Sequence, residues 1–274
     1  MSDLEHAMVY KSNSLTEASY RLSVAEQRII LACISQVHRC GPVTDEVMYT
    51  VSALDMAALT DTHEKTAYRD LQEAALRLKR REVRIEREPN GKSKRKKVLV
   101  CGWVQTIAYD DEEGAVSLRF NKDMLPYLTE LSAQFTKYRL KSIAQMDSAH
   151  AIRLYELLMQ WRDIGQREMA IDWLRDKLQL QDKYPAIKDL KKRVIDIAIS
   201  QINDLSDLTV SYTQKKTGRT VTSLVFTIKA KAEPKAKKPK IDQAYVEKHA
   251  RPGESYDQAF RRLLEERGQT RIDI

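Results

Sequence analysis

Cysteine is scarce and scattered in this chain of 274 residues. Cys33, Cys40 and Cys101 are an odd number, with no pair at the spacing of a zinc or redox motif. That excludes a zinc ribbon and a disulfide framework, and it fits a reducing cytoplasmic setting. The five histidines, His6, His38, His63, His150 and His249, are just as dispersed. Neither an HxH nor an HExxH pair exists to hold a metal, which argues against a metal nuclease and against a two-histidine nicking site. Apolar runs stay short of the ~18 residues that a membrane span needs. The first residues, MSDLEHAMVYKSNS, lack the apolar core of a signal peptide. No cofactor, metal or membrane partner is therefore expected.

Charge is what the chain has in quantity. Apolar residues make up 42% and charged residues 31%, the balance of a globular protein of one or two domains. Lys and Arg outnumber Asp and Glu by 47 to 39, a formal +8 with a pI near 9.2. The distribution says more than the total. Basic runs occur at Lys79–Arg81, Lys92–Lys97, Lys188–Arg193 and Lys229–Lys240. Clustering of one sign creates the local positive potential that a polyanion would meet.

Periodicity then divides the chain. Val24 to Val37 carries a wide apolar stripe, with Ser23 as expected N-cap and Gln27 one position beyond the three that a capping box requires. Cys33 falls on that stripe and reads as a small buried apolar residue. Gly41-Pro42 breaks the chain. A short strand at Met48–Val51 precedes SALDMAALT, a brief helix capped by Ser52. After the turn Asp61-Thr62-His63, Ala67, Leu71, Ala74, Ala75 and Leu78 recur at helical spacing with Lys65 and Arg69 outside. Short helix, tight turn and longer helix make a helix-turn-helix layout.

From Glu82 the period becomes 2. Val83 and Ile85 mark one strand, Val98–Ile107 a second, and the turn between them, from Pro89-Asn90-Gly91 to Lys97, is basic. A third strand is expected at Ala115–Phe120, after the acidic turn Asp110–Gly114. This layout predicts a winged helix with a basic wing. Asn121–Leu131 is expected to be helical and the segment to Met146 a strand-like link. Ser148 caps an amphipathic helix to Trp161, followed by a strand at Glu168–Ile171 and a short helix capped by Asp172.

Lys183–Ser206 follows, basic in its first half and apolar at Leu190, Val194, Ile197, Ala198, Ile202 and Leu205. Strands at Leu208–Gln214 and Val221–Lys229 flank the basic turn Lys215–Arg219. Long helix, short helix, basic helix and basic-tipped hairpin have now occurred twice. The expected fold class is α+β, with two tandem winged-helix domains related by pseudo-symmetry. Boundaries fall at 12–121 and 122–229, with 230–274 a basic linker and helical tail.

Alone, each exposed cation is a solvated charge. Jointly, Lys65, Arg69, Lys183, Lys188, Lys191, Lys192, Arg193, Lys215, Lys216 and Arg219 sit where two winged helices would meet DNA. Other motifs dissolve on inspection. Gly91-Lys92-Ser93 echoes a phosphate-binding loop, but Glu86 stands where its first glycine belongs. Asp110–Glu113 reads as a solvated turn rather than a metal site. Tyr155 and Tyr212 read as packing aromatics, not nucleophiles.

NSLTEASYRLSVAEQRIIL, FTKYRLKSIAQMDSAHAIRLYELLMQW, DLKKRVIDIAISQIN and LTVSYTQKKTGRTVTSLVFTIK occur in this order. Together they resemble the iteron-binding plasmid replication initiators of the RepE and Pi type, over about Ser12 to Lys229. Asp189–Arg193 resembles that family's Asp–apolar–three-basic signature, with lysine at two of the three basic positions. The resemblance implies a non-enzymatic protein that binds repeats in duplex plasmid-origin DNA as a monomer. It further implies origin opening and recruitment of host initiator, replicative helicase and chaperones, and, as a dimer, repression of its own gene at an inverted repeat. The C-terminal module would dominate base recognition, and the N-terminal one would add contacts and form the dimer. The alternatives are a repressor without a replication role and a nicking enzyme.

Overall fold

The computed structural model describes residues 4, 6–37, 44–87, 97–129, 135–232, 246, 248–251 and 254–266. Two compact units are present, residues 1–231 and residues 232–274. The larger opens with β1 (Met8–Ser12), the single turn α1 (Asn13–Thr16) and β2 (Ser19–Tyr20). Then come α2 (Val24–Ser35), β3 (Tyr49–Ser52), α3 (Ala53–Thr60) and α4 (Glu64–Leu78). Four strands follow: β4 (Glu82–Arg87), β5 (Lys97–Gly102), β6 (Val104–Asp110) and β7 (Ala115–Phe120). A 3-10 turn at Lys122–Met124 leads through α5 (Pro126–Thr129), β8 (Phe135–Arg139) and α6 (Lys141–Ala144) to α7 (Ala149–Met159). The last third holds β9 (Gln166–Ala170), α8 (Ile171–Lys177), α9 (Ile187–Leu190), α10 (Asp196–Leu205), β10 (Leu208–Thr217) and β11 (Thr220–Ala230).

Local chemistry sets the helix starts. Ser23 accepts from Glu26 N–H at 3.2 Å while Glu26 accepts from Ser23 N–H at 2.7 Å. The capping box is therefore complete through Glu26, which stands at the required third position, one before the Gln27 that the sequence reading weighed and found one residue too far. Ser52 and Ser148 cap α3 and α7 as their positions predict. Asp172 does not cap α8. It lies inside the first turn, where its charge still faces the positive end of the helix. Asp61, in the left-handed region at φ 52°, ends α3 and turns the chain into α4.

Two modules share one topology. In the first, α2, β3, α3, α4, β6 and β7 form a helical triad on a sheet of order β3-β7-β6. In the second, α7, β9, α8, the α9–α10 helix, β10 and β11 repeat that plan, with sheet order β10-β11-β9. These are two winged helices, as the repeated element order predicts.

The first wing differs from expectation. The strand expected at Val98–Ile107 is two strands in two sheets. Trp103, 1% exposed, drives the break. Its ring turns inward edge-on to Tyr20 at 4.8 Å, while its backbone N–H donates to Arg81 O and its backbone carbonyl accepts from Asn121 N–H. The β4–β5 hairpin consequently pairs with β2 as an insertion (sheet order β2-β4-β5), and the wing is β6–β7. The basic turn of the inserted hairpin, residues 88–96, lies outside the described residues.

One continuous core joins both modules, and at its centre sits a buried polar cluster. Glu156 of α7 accepts from Lys11 Nζ at 2.6 Å, Arg153 at 2.7 Å, Tyr138 Oη at 2.6 Å and Tyr20 Oη at 3.1 Å. The Arg153 guanidinium lies 3.9 Å from the Tyr20 ring centre and donates to the carbonyls of Thr16 and Ala18. Burial opposes the Glu156 charge, but Lys11 and Arg153 outweigh it and hold the carboxyl down to about 2. Burial in turn pulls Lys11 down to about 8 despite Glu156. The cluster fastens β1, β2 and β8 to α7.

The smaller unit contains α11 (Tyr256–Glu266), with Ala259 and Leu263 packed on Val246 and Arg262 paired to Glu254 at 2.8 Å. The expected basic linker falls mainly at residues 233–240, outside the described residues.

Candidate nucleic-acid interface

In the second module the helix that follows α8 is shorter than its periodicity suggests, and it is interrupted by an irregular turn. It runs from Ile187 to Leu205 through a π-turn at Lys191–Ile195. The wider turn inserts one residue into the helical register, a feature common at functional sites. Val194 and Ile195 are both buried as a result, and Ile197, expected on the core face, is 46% exposed. Helix formation begins at Ile187 and not at Lys183. Tyr184, at φ 55°, and Pro185 keep the preceding residues in a loop.

That loop is held by a residue the sequence reading passed over. Arg175 of α8 donates to the carbonyls of Lys183 (2.6 Å), Tyr184 (2.5 Å), Pro185 (3.2 Å) and Leu180 (3.4 Å). An arginine in a short helix gives no sequence signal of this role. Farther along, Gln201 accepts from the N–H groups of Asp147 and Ser148 at 3.1 Å, tying the helix to the start of α7. Asn203 bridges both backbone groups of Val210 at 2.6 and 3.0 Å. The element is therefore anchored at its loop, its middle and its end.

Lys188, Lys192 and Arg193 are exposed on this helix, Lys191 is half-buried, and Lys183 stands exposed in the loop before it. These cations carry no ion pair among the described residues. Lys215, Lys216 and Arg219 are exposed on the β10–β11 wing, where Gly218, at φ 61°, makes the turn. Lys215 is not free: it contacts both Glu168 oxygens at 2.9 and 3.0 Å, and the hydrogen bond lowers the Glu168 pKa.

The first module offers a different face. Lys65 and Arg69 are exposed on α4, with Arg69 3.8 Å from Asp70. Its wing loop is Asp110-Asp111-Glu112-Glu113-Gly114. Tyr68 and Gln72 of α4 donate to Asp111 at 3.2 and 3.4 Å, and a Cβ at Gly114, φ 59°, would sit 3.2 Å from the Tyr68 ring. Acidic residues therefore occupy the place where a basic wing was expected.

Other candidates have ordinary surroundings. Tyr155 is buried and donates to Asp207 at 2.7 Å. Tyr212 donates to Asp196 at 2.8 Å, and burial, then Asp196, pushes it up to about 12. Neither phenol is activated as a nucleophile. Burial likewise pushes the Cys33 thiol up. Among the described residues no cluster of three or more His, Cys, Asp or Glu could hold a metal, and no helix is long and apolar enough to cross a membrane.

Residues 8–159 match the family model described as initiator replication protein, WH1, and residues 170–228 match that of initiator Rep protein, WH2. The chain belongs to this initiator replication protein family. Within it, the chain is 25% identical over 237 residues to a replication initiation protein of Escherichia coli, covering 83% of this chain and 70% of that protein. It is 22% identical over 243 residues to the Escherichia coli PI protein, covering 78% and 80%. A crystal structure of the Pi initiator in complex with iteron DNA superposes with a TM-score of 0.70 at 21% identity, over 84% of this chain and 99% of that one. The likeness in fold extends across both winged helices of this initiator.

Proposed function

We propose that this initiator binds iteron repeats of a plasmid origin as a monomer, reading bases chiefly with its second module. The observation that carries the reading is the group of cations, without an ion pair among the described residues, at the N-terminal end of the α9–α10 helix, beside a basic wing. The Pi initiator, solved with iteron DNA, supplies the ligand class. Arg193 takes the base contact, because its planar fork matches guanine, and Lys183, Lys188, Lys191 and Lys192 bind bases or phosphates as point charges. Lys215, Lys216 and Arg219 clamp phosphates, with Lys65 and Arg69 of the first module adding contacts.

The protein acts without a catalytic step of its own, opening the origin and recruiting host initiator, helicase and chaperones in the cytoplasm. As a dimer formed through the first module it represses its own gene at an inverted repeat. The outer edge of β5, with Val98 and Val100 turned to solvent, supports that self-association.

The test is fluorescence anisotropy on a cognate repeat and on random duplex. Arg193→Ala should cost about 1–3 kcal/mol on the repeat alone. Lys216→Ala should weaken both equally and lower the salt slope by about 1. Equal loss on both duplexes for Arg193→Ala would sink the base-contact assignment.

A further inference from the structure

The α9–α10 helix carries a carboxylate in line with its cations. Its exposed side chains come in pairs: Lys188 and Asp189, Lys192 and Arg193, then Asp196 and Ile197. The π-turn at Lys191–Ile195 makes the last pair possible. It buries Val194 and Ile195 together, so the next two residues leave the core side by side. Asp196 and Ile197 therefore stand about one turn beyond Lys192 and Arg193, on the same side of the helix.

An anion in that place calls for a physical reason, because on a DNA-reading face a bare carboxylate meets phosphates of its own sign. No cation among the described residues pairs with Asp196. One of its oxygens is engaged: Tyr212 of β10, at the base of the wing, donates to Oδ1 at 2.8 Å. Tyr212 is itself held in place, with its ring 5.9 Å from that of the buried Phe226, and Asn203 ties β10 to the helix through both backbone groups of Val210. Burial and then Asp196 keep the phenol protonated far above neutral pH, so it always donates. Among the described residues nothing donates to Oδ2. The carboxylate is thus oriented through one oxygen and presents the other as an acceptor.

Groove chemistry supplies the reason. In the major groove cytosine presents the N4 amino group, a donor that an aspartate accepts from. Thymine and guanine present acceptors, and adenine sets its N7 acceptor beside its amino group, so each of these opposes a carboxylate. Ile197, 46% exposed, stands next to Asp196, and an apolar side chain suits the C5 edge of a pyrimidine.

We propose that Asp196 is a specificity-determining residue, its Oδ2 accepting from the N4 amino group of one cytosine in the bound repeat while Tyr212 holds its Oδ1. The proposal rests on the function given above, in which this helix reads the repeat. It adds a selection that the cations alone do not make. Arginine and lysine donors favour guanine, whereas the oriented carboxylate rewards cytosine at its own position and repels a base that presents an acceptor there.

The experiment measures binding of the full chain, by fluorescence anisotropy, to three kinds of duplex. These are the repeat, the repeat with each C·G pair replaced in turn by T·A, and a random sequence. Asp196→Asn keeps an amide oxygen for Tyr212 and removes the charge. It should abolish the replacement penalty at one C·G pair, leave the other penalties as they are, and lower the preference for the repeat over random duplex about tenfold. Tyr212→Phe frees the carboxylate to turn and should reduce the same penalty about threefold. Retained binding to random duplex marks a variant as folded, and if one variant loses it the other decides. If Asp196→Asn binds repeat and random duplex more tightly by one common factor, with every penalty unchanged, Asp196 is only a repelled surface charge and the proposal is overturned. A wild-type chain that binds the repeat no better than random duplex removes the DNA-reading assignment itself, and the proposal with it.

Discussion

Replacing Glu156 by glutamine tests the physical account of the core most directly. The substitution keeps the shape of the side chain and removes its charge. Lys11 and Arg153, 1% and 3% exposed, then remain buried without a counter-ion. Breaking a buried pair in this way costs about 3–5 kcal/mol, a large share of the ~5–15 kcal/mol that holds a domain together. The pH dependence gives an independent sign. Burial alone would raise the Glu156 pKa, but Lys11 and Arg153 hold it down to about 2, below its ordinary value. Because the folded value is the lower one, its contribution is complete above ~4.5 and is lost as pH falls toward about 2. The assay is urea unfolding followed by tryptophan fluorescence. With a slope of about 2–3 kcal/mol/M, Glu156→Gln should lower the midpoint by roughly 1–2.5 M. Adding Lys11→Met should recover part of the loss, since one orphaned cation disappears with it. A midpoint shift under ~0.3 M, or strictly additive losses in the double variant, would refute the reasoning.

Three further predictions concern the interface. Arg175→Ala should free the 180–185 loop, weaken repeat binding about tenfold and open the loop to proteolysis. Arg175→Lys should not rescue it, because a point charge cannot serve four carbonyls. Ile195→Ala should cost about 2–5 kcal/mol in urea unfolding while Ile197→Ala stays within about 0.5 kcal/mol; the reverse order would restore an uninterrupted α-helical register. Glu168→Gln should release Lys215 to phosphate and steepen the salt dependence of duplex binding by about 1, and a flatter slope would count against the wing as a clamp.

The larger features were legible because they rest on local chemistry. Apolar spacing at Ala67, Leu71, Ala74 and Leu78 set the first helix-turn-helix, and the repeated order of elements revealed the second module. What escaped has a physical reason in each case. Trp103 ends a strand through a contact with Tyr20, more than 80 residues away, which no local pattern records. As a result the wing was assigned to the wrong hairpin, and its charge came out with the wrong sign. Ile197 was placed in the core because periodicity assumes about 3.6 residues per turn, and the π-turn adds one. The tether formed by Arg175 reaches only five to ten residues along the chain, yet it depends on the shape of a loop that no periodicity records.

The two wings, equivalent in topology, carry opposite charge: Asp110–Glu113 in the first module, Lys215–Arg219 in the second. Each loop senses only phosphates within roughly a Debye length, about 8 Å at physiological salt. On the function proposed above, a duplex would be drawn in at one loop and pushed away at the other, and the protein would have a direction before any base is read. A molecule approaching the wrong way round would be turned away by charge alone. Along a row of tandem repeats, all copies would face one way, and the row would have a distinct front and back.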